Sequence, residues 1–92
     1  MAIKKIRFFG SNGCADCIKT YILISRYQIE CEYVDVDSED KNIQDICDAN
    51  EVYDLPHIQF LDANNRIIIE HVGPIEEVIF VAYLTEDFTI RE

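Results

Sequence analysis

Positive charge is scarce in this chain. Eight Lys and Arg stand against eighteen Asp and Glu over 92 residues, a formal net charge of −10. That balance repels phosphate backbones and anionic lipid surfaces, so neither nucleic acid nor a membrane surface is expected as a partner. Also missing is any apolar run close to the ~20 residues that a membrane-spanning helix needs. The opening Ile3-Lys4-Lys5-Ile6-Arg7-Phe8-Phe9 is interrupted by Gly10-Ser11-Asn12-Gly13 before it reaches the length of an export-signal core. A cytoplasmic location is therefore expected. There is no repeat, low-complexity segment or internal linker, and the scattered Tyr and Phe form no base-stacking platform.

What remains is a well-mixed sequence, 49% apolar, which suits a globular fold. Its length supports one domain over residues 1–92 with a single small core. The acidic surface serves solubility and would suit a protein partner with a basic surface. There are four cysteines. In a reducing compartment they argue for a catalytic, redox-sensing or metal-binding role rather than a disulfide scaffold.

The pattern of apolar residues predicts seven elements. Ile3 to Phe9 reads as a buried strand, followed by the Gly10-Ser11-Asn12-Gly13 turn. From Cys14 to about Tyr27, Ile18, Tyr21, Ile22 and Ser25 follow helical spacing, with Leu23 and Ile24 widening the stripe, so this helix is expected to pack on a sheet. Cys31 to Asp37 alternates as a half-covered strand does. Asp37 or Ser38 can cap a second helix whose apolar face is Ile43, Ile46 and Cys47, ending near Asn50. The strand-helix-strand order predicts a crossover with parallel strands. His57 to Asp62 and Arg66 to Val72 are joined by Ala63-Asn64-Asn65, a loop of hairpin length, and should pair antiparallel. Gly73-Pro74 then leads into a last helix with Pro74 in its first turn, running to about Leu84. That helix is apolar on more than one side, and the tail Phe88-Thr89-Ile90 or a second subunit is expected to cover it.

Cys14-Ala15-Asp16-Cys17 falls where the first strand hands over to the first helix. Two thiols at this spacing can close a disulfide with each other, and the positive end of the helix favours the thiolate of the first. A bare C-x-x-C is shared by zinc sites and metal-delivery domains. A four-cysteine zinc site is disfavoured here, because Cys31 and Cys47 make no second C-x-x-C and Cys47 is expected in the core. His71 is read as structural, and Asp35 and Asp37 as a solvated face or cap.

The C-x-x-C is joined by Asp54-Leu55-Pro56-His57 at the entrance to the hairpin. With these two motifs, the order of elements and Gly73 before the last helix, the sequence resembles the thioredoxin and glutaredoxin superfamily over nearly its whole length. The resemblance implies an α/β thioredoxin-like fold: a mixed four-stranded sheet with three flanking helices in the order β-α-β-α-β-β-α. It also implies that Pro56 is cis and faces the C-x-x-C, and that Leu55 presents its backbone to an extended substrate strand.

Thiol-disulfide exchange needs an exposed attacking sulfur, a resolving sulfur and a surface that holds the target disulfide in line. Cys14 is the expected nucleophile and Cys17 the resolving cysteine. Ser11, Asn12, Gly13, Leu55, Pro56 and Gly73 are expected to border the substrate groove, with Asp16 and His57 as modulators. No metal and no bound cofactor are expected. The reductant would be glutathione or a disulfide reductase, the substrate a protein disulfide, and the protein a monomer or weak dimer.

The sequence also departs from the pattern it resembles. Ala15-Asp16 replaces the Gly-Pro of thioredoxins and the Pro-Tyr of glutaredoxins, and an acidic Asp16 opposes thiolate formation by repulsion. Gly13 stands where thioredoxins have tryptophan, and Phe8 where they have a buried aspartate. Ser11 replaces a glutaredoxin lysine, and Gly73-Pro74 with Glu76 and Glu77 provides poorly for anionic glutathione. Two other readings follow: a binding or adaptor module of the same fold without turnover, and a metal-binding C-x-x-C protein.

Overall fold

The computed structural model describes residues 3–85. Its first strand, β1 (Lys5–Gly10), lies inside a sheet and therefore has two faces to cover. Alternation sends Ile6 and Phe8 to one face and Lys5, Arg7 and Phe9 to the other. On one side β1 pairs in parallel with β2 (Glu30–Asp35), and on the other antiparallel with β3 (His57–Leu61). A hairpin connects β3 to β4 (Ile67–Val72), giving the order β2-β1-β3-β4.

Helices α1 (Ala15–Ser25) and α3 (Glu77–Thr85) cover the Phe8 face. There Ile6, Phe8, Ile58 and Phe60 from the sheet meet Cys17, Leu23 and Ile24 of α1 and Phe80 and Leu84 of α3. The Phe60 and Phe80 rings are 5.8 Å apart. Truncating such a buried aromatic to Ala typically costs about 3–5 kcal/mol. Tyr27 and Arg26, just past α1, reach Glu77 at the start of α3 and tie the two helices together.

The opposite face, which carries α2 (Lys41–Ala49), is more polar. Gln59, with no exposed surface, donates from Nε2 to Asn50 Oδ1 at 2.9 Å and to Glu70 Oε2 at 3.0 Å. Arg7 reaches both Gln59 and Glu32. The sheet thus separates an apolar core from a hydrogen-bonded layer.

Several expected details are corrected. On α1 the residues turned to the core are Cys17, Thr20, Leu23 and Ile24, whereas Ile18, Tyr21 and Ile22 are about half exposed, at 51%, 53% and 51%. The small side chains of Cys17 and Thr20 let the helix approach the sheet, leaving the bulkier stripe on the flank. Asp40, not Asp37 or Ser38, caps α2 by accepting the Asn42 N–H at 2.8 Å. Val36 and Asp37 follow β2 rather than extend it, and no residue of α2 is fully buried, so Cys47 is only half-buried. Helix α3 begins three residues after Pro74, whose carbonyl oxygen instead meets His71 Nε2 at 3.1 Å. Val78, Ile79 and Val81 are exposed on α3. The proposed cover, Phe88-Thr89-Ile90, lies outside the described residues.

Candidate active site

The chain leaves β1 at Gly10, and the tight loop that follows is held by its own polar groups. Ser11 accepts the Cys14 N–H on its carbonyl at 3.2 Å and the Gly13 N–H on Oγ at 3.3 Å. The Ser11 hydroxyl in turn donates to Asp37 Oδ2, while Val36 N–H donates to the Gly10 carbonyl at 3.0 Å. These bonds pin the loop to the end of β2 and fix where α1 starts.

Cys14 occupies the N-cap of α1 with extended backbone, φ −104° and ψ 108°. Its sulfur accepts the Cys17 backbone N–H at 3.1 Å, the role usually taken by a serine or aspartate oxygen. Cys14 and Cys17 form a disulfide, with Cα atoms 5.1 Å apart. The two differ in setting: Cys14 is half-buried at the surface, while Cys17 is 2% exposed and part of the core cluster that contains Phe8. Cys14 is therefore the more accessible residue of the pair.

Leu55 and Cys14 pack against this same cluster. The Leu55–Pro56 peptide bond is cis, and the Pro56 carbonyl accepts the Gly73 N–H at 2.8 Å. Gly73 has φ +100°, a conformation that L side chains rarely adopt, which explains glycine here. Of the residues expected to border a groove, Ser11 and Gly13 form one hydrogen-bonded unit with Cys14, and Pro56 and Gly73 form another. Asn12 and Asp16 are exposed.

The fold these parts belong to is shared with solved proteins. Thioredoxin O2 from Arabidopsis thaliana, in its oxidised state, superposes with a TM-score of 0.75 at 17% identity, over 95% of this chain and 76% of that one. The fold is thioredoxin-like. A mutant thioredoxin from Halobacterium salinarum matches with a TM-score of 0.76 at 16% identity, over 89% of this chain and 72% of that one. Thioredoxin 1 from Thermosipho africanus gives 0.71 at 18%, over 94% and 96%. No family model and no curated protein matches the sequence. These likenesses concern the fold, and this chain adds to it a disulfide between Cys14 and Cys17.

His57, next to Pro56, is tied to its own hairpin. It is 4% exposed, and its Nε2 meets Glu70 Oε2 across the β3–β4 pair. Its Nδ1 is buried without a partner among the described residues. Hydrogen bonds from Gln59 and then from His57 hold the Glu70 carboxyl below the ordinary glutamate range. The other two cysteines lie apart. Cys31 opposes Ile6 on the core face, where burial pushes its thiol up to about 11, and Cys47 sits on α2 across the sheet. Among the described residues no group of three His, Cys, Asp or Glu is arranged to hold a metal ion.

Sequence reasoning missed the flank of α1 beside the disulfide. Ile18, Tyr21 and Ile22, with Tyr33 of β2 and Cys17, line a groove of about 280 Å³ there. Tyr33 also lies over Gly10: a Cβ added to that glycine would stand 3.1 Å from Tyr33 Cε1 and 3.4 Å from Cys17 Cβ. A signal for the groove was present, since α1 carries more apolar residues than one buried face can absorb.

Proposed function

We propose that the protein is a dithiol-disulfide oxidoreductase acting on protein disulfides. The observation that carries this reading is the asymmetry of the pair: Cys14 caps α1 at the surface while Cys17 is buried one turn behind it. On reduction, the Cys17 N–H and the helix N-terminus would face a Cys14 thiolate, turning a weak contact to sulfur into a charge-assisted hydrogen bond.

In the exchange, Cys14 thiolate attacks one sulfur of the target disulfide and displaces the other as a thiolate, which takes up a proton. Cys17, once deprotonated, attacks Cys14 within the resulting mixed disulfide and releases the second target thiol. Two electrons pass to the target and the Cys14–Cys17 disulfide is regained. Leu55 and Pro56 would hold the target as an added strand, with Gly73 leaving room beside them. The reaction needs no bound cofactor. A separate reductant, glutathione or a disulfide reductase, returns the pair to dithiol, and a reducing cytoplasm suits that cycle.

A binding module without turnover is the second reading. It is favoured by buried Phe8, an apolar side chain in the cluster around Cys17 that can take no proton from it. Redox titration of the pair against glutathione buffers, read by thiol alkylation and mass spectrometry, separates the two. A two-electron transition between roughly −200 and −270 mV is expected of a working couple. Absence of the intramolecular disulfide at every poise would overturn the oxidoreductase reading.

A further inference from the structure

The groove between α1 and β2 offers a recognition surface distinct from the Pro56 side. Cys17, Ile18, Tyr21 and Ile22 of α1 line it together with Tyr33 of β2 and Ser11 of the loop. Tyr33 is held in place by its neighbours: its ring is 5.5 Å from Phe8 and 6.1 Å from Tyr21. The lining is therefore a braced apolar surface rather than a set of loose side chains, and it is open to solvent among the described residues.

Charge is concentrated at the Ser11 end. Asp37 accepts the Ser11 hydroxyl, and Asp35 Oδ1 accepts the Asp37 N–H at 3.0 Å, so two carboxylates stand together beside the groove. Both act on Tyr33, whose hydroxyl they help to raise above its ordinary pKa after burial has done so first. Neither carboxylate forms an ion pair among the described residues, whereas Lys5, Arg7, Arg26, Lys41 and Arg66 are all paired elsewhere. The carboxylates of this end are thus open to a cation supplied by a partner.

We propose that the groove docks a basic polypeptide segment, an apolar side chain lying against Ile18, Ile22 and Tyr33 and an adjacent Lys or Arg reaching Asp35 and Asp37. The proposal rests on the oxidoreductase reading in one respect: the docked segment is taken to flank the target disulfide, since the groove runs to Cys17. The apolar lining supplies affinity and the carboxylates supply selection against acidic targets.

The test is a titration of the oxidised, isotope-labelled protein by amide NMR, with capped, cysteine-free peptides. The first alternates Leu and Lys, the second Leu and Glu, and the third Gly and Lys. Saturable shifts at Ile18, Ile22 and Tyr33 are expected with the Leu-Lys peptide alone. Ile22→Asn and Asp37→Asn should each weaken that binding about tenfold, the scale of one lost apolar or charged contact. Ile22 is half exposed, and the dispersion of the same spectrum reports whether each variant is folded. The proposal is overturned by shifts confined to the Leu55 and Gly73 side, by equal binding of the Leu-Glu or Gly-Lys peptide, or by no binding. A pair that fails the redox titration removes the oxidoreductase reading alone, because these peptides carry no sulfur and still decide the groove.

Discussion

The backbone N–H of Cys17 donates to the sulfur of Cys14 across 3.1 Å, so the nucleophile proposed here is also the cap of its own helix. Serine caps helices well, and Cys14→Ser should keep α1 intact while removing all exchange. Cys17→Ser removes only the resolving sulfur and should accumulate a mixed disulfide at Cys14 when the reduced variant meets a protein disulfide. Intact-mass spectrometry checks both. A stable adduct on the Cys14→Ser variant would reverse the roles.

Cys31 should react more slowly than Cys47, the other cysteine outside the disulfide. With its pKa pushed up to about 11, first by burial and then by Glu32, roughly one molecule in a thousand carries the thiolate at pH 8. Cys47 is raised as well, through burial first and then Asp48 and Asp35. Timed alkylation of the reduced protein near pH 8, with peptide mapping, should label Cys14 before Cys47 and Cys47 before Cys31. Prompt labelling of Cys31 would contradict the packing of β2 described above.

Two backbone positions carry predictions of opposite sign. Glu51 has φ +54° just past α2, where Glu51 N–H bonds the Asp48 carbonyl and Val52 N–H the Cys47 carbonyl. This helix ending favours glycine, so Glu51→Gly should stabilise the fold by about 1 kcal/mol. Gly73→Ala adds a side chain at φ +100°, and should destabilise by about 1–2 kcal/mol through backbone strain alone. Urea unfolding measures both, and equal effects in the same direction would refute the argument.

The sequence made much of this fold legible because its signals were local. Alternation, the turn at Gly10 to Gly13 and the loop at Asn64-Asn65 each act over a few residues, and they placed the seven elements in order. The C-x-x-C was legible for the same reason. What escaped depends on packing between distant segments. Whether Ile18 or Cys17 faces the sheet is decided by how closely α1 can approach it, and periodicity over so broad an apolar stripe does not choose. Likewise the partner of His57 was not legible, because only the register of β3 and β4 sets Glu70 against Gln59 and within reach of its ring. The cap of α2 was missed by a few residues because Asp37, Ser38 and Asp40 are all competent caps, and Asp37 is taken by Ser11.

The polar layer under α2 carries a pH dependence whose sign follows from Glu70. Hydrogen bonds from Gln59 first, and His57 after it, lower the Glu70 pKa in the folded protein. A carboxyl depressed by folding binds its proton more weakly in the native state than in the unfolded one. Its stabilisation is therefore fully present above the ordinary glutamate value of about 4.3 and is lost as pH falls through the lower folded value. Glu70 is 41% exposed along its side chain, so solvent screens part of the effect. Glu70→Gln keeps a hydrogen-bonding group at the position but removes the titration. The urea midpoint of the unmodified protein should fall more than that of Glu70→Gln between about pH 6 and about pH 3, the span that brackets an ordinary glutamate. Identical declines would mean that the layer is held by neutral hydrogen bonds, with the carboxylate charge contributing nothing measurable.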